Sequence, residues 1–243
     1  MAERTNNYTN KISRQEALRL ANVYLQERIY NGSNPRIIFE HGVHVFNVAK
    51  IAEAIAKQTH GAIDPDTAYS LGLLHDIGRI KDETVTHIPH GIEGFNYLTQ
   101  IGYKDVAPIC LTHNFIDKDI KKSDFPTYSD ELFADTKEYL STIEYNDYDR
   151  IIQIADLFSR GKDIMSIQQR LDKNKSFYHI EKLSYEDKAF ALRDYLDEKY
   201  NIDIEQTVAD LFDMRKYSKN SLVFFFKKYP TQAQKYNRTY FEK

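Results

Sequence analysis

Cysteine is nearly absent. Cys110 is the only one, so an intramolecular disulfide is impossible and a zinc-thiolate cluster is excluded. A basic excess is missing as well: 33 Lys and Arg against 36 Asp and Glu leave a net charge of -3. Such a balance exerts no overall pull toward nucleic acid or an anionic membrane. No apolar run approaches the ~20 residues that span a bilayer. No basic start followed by an apolar stretch marks a signal peptide. The expected setting is therefore cytoplasmic, with no membrane and no DNA or RNA partner. Tryptophan is missing too, and aromatic packing falls to 18 Tyr and 14 Phe, the tyrosines thickening toward the C-terminus. What remains is an ordinary globular composition, 42% hydrophobic and 28% charged over 243 residues, enough for one large domain or two small ones.

Neither strand-like alternation nor an internal repeat is found, and the apolar spacing is helical throughout. Residues 1–12 read as a loose polar end. Ser13-Arg14-Gln15-Glu16 is a capping box, opening a helix through Ala17, Leu18, Ala21, Leu25 and Ile29 that stops at Asn31-Gly32-Ser33-Asn34-Pro35. A second helix is predicted from about Arg36 to Lys57 and a third from Asp64-Pro65, an N-cap followed by proline at the first helical position, to His75-Asp76. Shorter helices are expected from His90 to Ile101 and from Lys104 to His113, then near 130–142, from Asp149 to Arg160, and near 162–171, 184–199 and 203–228. Residues 114–130, charged and carrying Pro126, read as a long surface loop that could serve as a lid. The fold class is all-α.

One stretch carries more chemistry than the rest: Gly72-Leu73-Leu74-His75-Asp76-Ile77-Gly78-Arg79. An imidazole and a carboxylate end a helix too apolar to face water, and neither can be buried cheaply without a partner. Borderline metals accept that combination. Asp156 poses the same problem, lying directly after Ile154-Ala155 within an apolar helix. His44, His90 and His113 are weaker signals one at a time. The first sits on an apolar stripe with Val48-Ala49, where a hydrogen-bonded core histidine is the usual finding. The second opens a helix after a proline, and the third ends one, where the dipole alone favours it.

Together the order His44, His75-Asp76, His90, His113, Asp156 resembles the HD-domain superfamily of metal-dependent phosphohydrolases. The local context matches too: Val48-Ala49 after His44, Leu73-Leu74 before and Ile77-Gly78-Arg79 after His75-Asp76, Gly94 after His90, and Ile154-Ala155 before Asp156. The resemblance implies a helical bundle whose core covers residues 36–165 of a single domain 1–243, with 166–243 as a helical extension. It implies one metal on His44, His75, Asp76 and Asp156, or two when His90 and His113 join and Asp76 bridges. Iron or manganese suits this donor set best; magnesium, zinc and nickel remain compatible. The implied activity is hydrolysis of a phosphate ester or anhydride of a nucleotide, including a dinucleoside polyphosphate, by a metal-activated hydroxide. Asp76 and His75 would be catalytic.

Several neighbours stay open. His41 precedes His44 by one turn and is either a substitute ligand or a supporting residue; His87 stands in the same relation to His90, and either could carry a proton. His60 and His179 read as turn or surface residues. Arg79 could hold a phosphate oxygen as a catalytic and substrate-binding group, or pair with Asp82 or Glu83. Arg160 and Lys162, flanking Gly161, are further candidates to meet a substrate phosphate. A small phosphorylated molecule is the expected partner, and a homodimer is compatible. Two rival readings share the ligand order: an HD-fold mixed-valent di-iron oxygenase, and a non-catalytic sensor whose aromatic C-terminal region (Tyr178, Tyr185, Tyr195, Tyr200, Phe224-Phe225-Phe226) meets a partner.

Overall fold

A computed structural model describes residues 4–5, 8–9, 11–30, 34–80, 89–122 and 128–213. His87, Asp82, Glu83, Pro126 and Phe224-Phe225-Phe226, named above, lie outside the described residues. The fold is all-α, with ten α-helices among the described residues and only two-residue strands beside them.

α1 (Arg14–Tyr30), α2 (Pro35–Gln58) and α3 (Pro65–Leu74) form the first half. α2 begins where Asn34 accepts from the Arg36 amide and proline takes the first helical position. α3 begins as its sequence predicts, with Asp64 accepting from the Thr67 amide. The capping box at Ser13 is only half formed. Ser13 Oγ accepts from the Glu16 amide, but the Glu16 carboxylate turns instead to Arg19 and Tyr103. A one-turn 3-10 helix (Ile77–Ile80) leads on from the His75-Asp76 corner.

α4 (His90–Gln100) follows Pro89. α5 (Pro108–Thr112) is shorter than predicted, because Lys104–Ala107 form turns before the proline that opens it. α6 (Asp130–Ser141) is capped by Ser129 and α7 (Asp147–Leu157) by an Asn146–Asp149 capping box. The hairpin of β3 (Ser159–Arg160) and β4 (Asp163–Ile164) then turns at Gly161, whose φ of +56° is the left-handed region glycine tolerates. The helix expected near 162–171 therefore starts later, as α8 (Ile167–Tyr178), on a Ser166–Gln169 capping box. α9 (Glu186–Tyr200) and α10 (Ile204–Asp213) complete the described chain.

One buried apolar cluster joins Tyr8 in the N-terminal segment, α1, α2, α3, α7, α9 and α10 as far as Val208. Each fully buried leucine or isoleucine in it contributes roughly 1.5–3 kcal/mol of transfer free energy. α2 and α3 lie against one another so closely that a Cβ on Gly72 would stand 2.5 Å from Ala49 Cα. The N-terminus is tied in by β1 (Arg4–Thr5), parallel to β2 (Ile143–Glu144), and by Tyr8, whose buried hydroxyl donates to Asp149 Oδ1 at 2.7 Å. The segment expected as a surface loop is anchored where it is described. Phe115, Ile120 and Tyr128 are buried with Leu140, Ile143 and Tyr145, because their apolar side chains gain more inside than in water.

Candidate metal centre

Four helix ends and one helix interior converge on Asp76. His44 comes from the middle of α2, His75 from the C-cap of α3 with Asp76 next to it, and His90 from the first residue of α4. His113 is the C-cap of α5, and Asp156 lies in the last turn of α7. His75 is fully buried, His44, Asp76 and His113 nearly so, and His90 and Asp156 are partly exposed.

The two carboxylate oxygens of Asp76 divide the set. Oδ2 faces His44 Nε2 at 3.6 Å and His75 Nε2 at 3.9 Å, and Asp156 Oδ1 reaches the same two nitrogens at 3.1 and 3.9 Å. Oδ1 faces His90 Nε2 at 3.1 Å and His113 Nε2 at 3.5 Å. His44, His75 and Asp76 thus make one group that could hold a metal ion, and Asp76, His90 and His113 a second.

The far side of each ring fixes what the near side can do. His75 Nδ1 donates to the Gly72 carbonyl at 2.7 Å and His113 Nδ1 to the Ile109 carbonyl at 3.0 Å. Carbonyls only accept, so Nδ1 carries the proton and each ring, when neutral, presents the Nε2 lone pair to the centre. Burial above all, reinforced by His113 and His44 and opposed by Asp76 and Asp156, lowers His75 to about 3, so it is neutral near pH 7. His44 Nδ1 lies 3.1 Å from Ser159 Oγ, and its Nε2 is only 3.3 Å from His75 Nε2. Burial would raise Asp76, yet Arg79, His90 and His75 hold it well below the usual carboxylate range. Asp156 is likewise lowered against its burial, chiefly by His44. Lone pairs and anionic oxygens face one another at these distances, a donor set that fits a divalent cation.

The neighbours sort differently. His41 accepts from Arg28 NH1 at 2.6 Å through Nδ1 and belongs to neither metal-competent group among the described residues. Burial, then Arg79 and Arg28, push it down to about 3, against the pull of Asp76. Arg79 donates Nε to Asp76 Oδ2 at 2.7 Å, and another of its nitrogens lies 3.4 Å from His90 Nε2. Arg160 and Lys162 stand on the β3–β4 hairpin, beyond Ser159. His60 and His179 sit exposed at left-handed turn positions, φ +54° and +55°. Tyr185 and Tyr200 pack against the main core, whereas Tyr178 and Tyr195 are exposed.

Arg28, Ser159 and Gln153 are residues that sequence reasoning passed over. Gln153 donates to the carbonyls of Thr112 and Phe115, both at 2.7 Å, and so brackets the corner that carries His113. Only Arg28 left a trace in the sequence: it continues the buried stripe Ala21, Leu25 at helical spacing, an unexpected place for a cation.

An all-helical fold with metal-competent His and Asp groups sharing one aspartate defines a class of helical metal-site proteins. Residues 42–161 match the family model described as HD domain, and that part of the chain belongs to the HD family. The match spans all six converging residues, and the family is mostly one of metal-dependent phosphohydrolases. Neither the curated proteins nor the solved structures compared with the chain gave a match. No helix among the described residues is long and apolar enough to cross a membrane.

Proposed function

We propose that this protein is a metal-dependent phosphohydrolase that cleaves a phosphate ester or anhydride of a nucleotide. The observation that carries the reading is the split of Asp76, with His44 and His75 facing Oδ2, His90 and His113 facing Oδ1, and Asp156 reaching the same two nitrogens of His44 and His75. In this reading the first set holds one ion and the second set another, with Asp76 common to both and iron or manganese preferred. Bound there, such ions supply Lewis acidity and a nucleophile from water near neutral pH.

The chain's own residues do the rest. His75 and His113 keep their Nε2 lone pairs aimed inward because their other nitrogens are committed to backbone carbonyls. Arg79, anchored on Asp76 at 2.7 Å, would offset charge on a phosphate oxygen in this reading. His41 is a poor proton carrier near pH 7, since burial, Arg79 and Arg28 keep it neutral. Its role here is to seat Arg28 against α2.

Elemental analysis of protein purified without chelator tests the reading, beside Asp76→Ala. About two iron or manganese atoms per chain are expected, and they are lost in the variant. Phosphate release from nucleotides should fall on the order of 10³-fold or more with Asp76→Ala. Oxygen uptake by iron-loaded protein in place of phosphate release would replace hydrolysis with oxygenase chemistry. A chain that takes up no metal after reconstitution would leave the sensor reading.

A further inference from the structure

Beside the metal-competent cluster, the N-terminal end of α2, the β3–β4 hairpin and α8 line an open cavity of about 410 Å³. Arg36, Glu40, His41, Arg160, Lys162 and Lys173 are among its lining residues. Its cations are not equally occupied. Arg36 pairs with Glu40 at 3.0 Å and Lys173 lies 3.8 Å from Asp163. Arg160 and Lys162 have no carboxylate within ion-pair distance among the described residues.

The rim carries a second feature. Phe177 stands one helical turn beyond Lys173 on α8, so the two share a face. Its side chain is 65% exposed, and so is most of its neighbour Tyr178, whose ring meets it edge-on at 5.0 Å. The Arg160 guanidinium lies 5.6 Å from the centroid of the Phe177 ring. A cavity whose Arg160 and Lys162 lack carboxylate partners among the described residues, bordered by an exposed aromatic ring and the arginine plane beside it, offers the two surfaces a nucleotide needs. Phosphates meet the cations, and the base meets the ring.

The cavity also adjoins the metal centre. His41 lies one turn before His44, and Ser159, which touches His44 Nδ1 at 3.1 Å, directly precedes Arg160. α8 lies outside the HD match, which ends at residue 161.

We propose that this cavity holds the phosphate chain of a nucleoside di- or polyphosphate, with its base stacked on Phe177, so that α8 sets substrate choice from beyond the HD domain. That the nucleotide is the substrate rests on the phosphohydrolase reading; that it binds here does not. Lys162 and Arg160 contact the phosphates, Lys173 closes the cavity from α8, and Phe177 distinguishes a nucleotide from a bare phosphate chain.

The test is calorimetric titration of the full chain with α,β-methylene-ADP and with methylenediphosphonate, neither of which has a P–O–P anhydride to cleave. The wild type should bind the nucleotide analogue about tenfold more tightly, a difference of ~1.4 kcal/mol. Lys162→Ala and Arg160→Ala should weaken both ligands about tenfold, and Phe177→Ala should abolish the preference between them. These side chains are at least partly exposed, and circular dichroism verifies that each variant is folded. An undiminished preference in Phe177→Ala overturns the stacking site. Undiminished affinity in Lys162→Ala and Arg160→Ala overturns the phosphate site. Phosphate release by the wild type is followed in parallel. Binding as described without turnover removes the hydrolase reading alone, and turnover with indifferent cavity variants removes the cavity alone.

Discussion

Glu53 shows how single residues hold this chain together. Its side chain is nearly buried on α2 and takes hydrogen bonds from Arg14 on α1 at 3.0 Å, Lys50 at 3.0 Å and Lys57 at 2.9 Å. Burial would raise its pKa, but those three cations bring it from 4.5 down to about 2. Because the folded value is depressed, the stabilisation is complete above pH 4.5 and is lost as pH falls toward 2. Glu53→Gln should cost about 2 kcal/mol near neutrality. It should also flatten the acid limb of the stability curve between those two values. Urea titrations at pH 7 and pH 3 measure both, and an unchanged acid limb would remove Glu53 from the account. At this scale His75 and Asp76 could be singled out because burying an imidazole and a carboxylate at the end of an apolar helix needs a reason that the sequence displays locally, whereas His44, His90 and His113 were weaker signals one at a time. Ser159 was not legible. Its partner His44 lies 115 positions away, and only the fold brings the hairpin to α2.

Elements place the centre through close backbone approaches. The 3-10 turn after Asp76 lies against the start of α4, and a Cβ on Gly78 would fall 1.7 Å from the His90 carbonyl oxygen and 2.3 Å from the Gly94 amide. Backbone atoms cannot swing away as a side-chain tip can. Gly78→Ala should therefore push α4 outward, costing about 3 kcal/mol of stability. It should also weaken retention of metal by moving His90 from Asp76. Thermal unfolding and metal content together check this, and a variant with wild-type values of both would show that the approach is not required. Helix starts were readable where a cap announced them, as at Asp64-Pro65. The start of α8 was missed although Ser166 and Gln169 form a capping box. Glycine at 161 looks like a helix boundary in sequence but makes a hairpin in the fold. α5 was overextended because Lys104–Ala107 carry helical spacing but form turns, with Pro108 setting the helix start.

At the scale of the whole molecule, the unusual expense is a core that contains four imidazoles and two carboxylates converging from separate helices. The helices that bring them are joined by a single apolar cluster, and α5 is tied to α7 by Thr112, whose hydroxyl donates to buried Asp149 at 2.7 Å. Those contacts assemble the donors whether or not a cation satisfies them, so cation-free protein carries the repulsion among them as a destabilising term. A ligand that binds only the folded state stabilises it by about 2.7 kcal/mol at a hundredfold excess over its Kd. For a chain of this length that corresponds to a rise in Tm of roughly 5–10 °C. Manganese added to chelator-treated protein should produce such a rise, and renewed chelation should reverse it. Asp76→Ala should show almost none of the rise, because it removes the carboxylate shared by both groups. Equal Tm values with manganese and with chelator, in protein whose circular dichroism is native, would mean that the convergence on Asp76 is satisfied by internal hydrogen bonds and ion pairs alone. Arg79, already 2.7 Å from Asp76 Oδ2, would then be the partner that the carboxylate was built to meet.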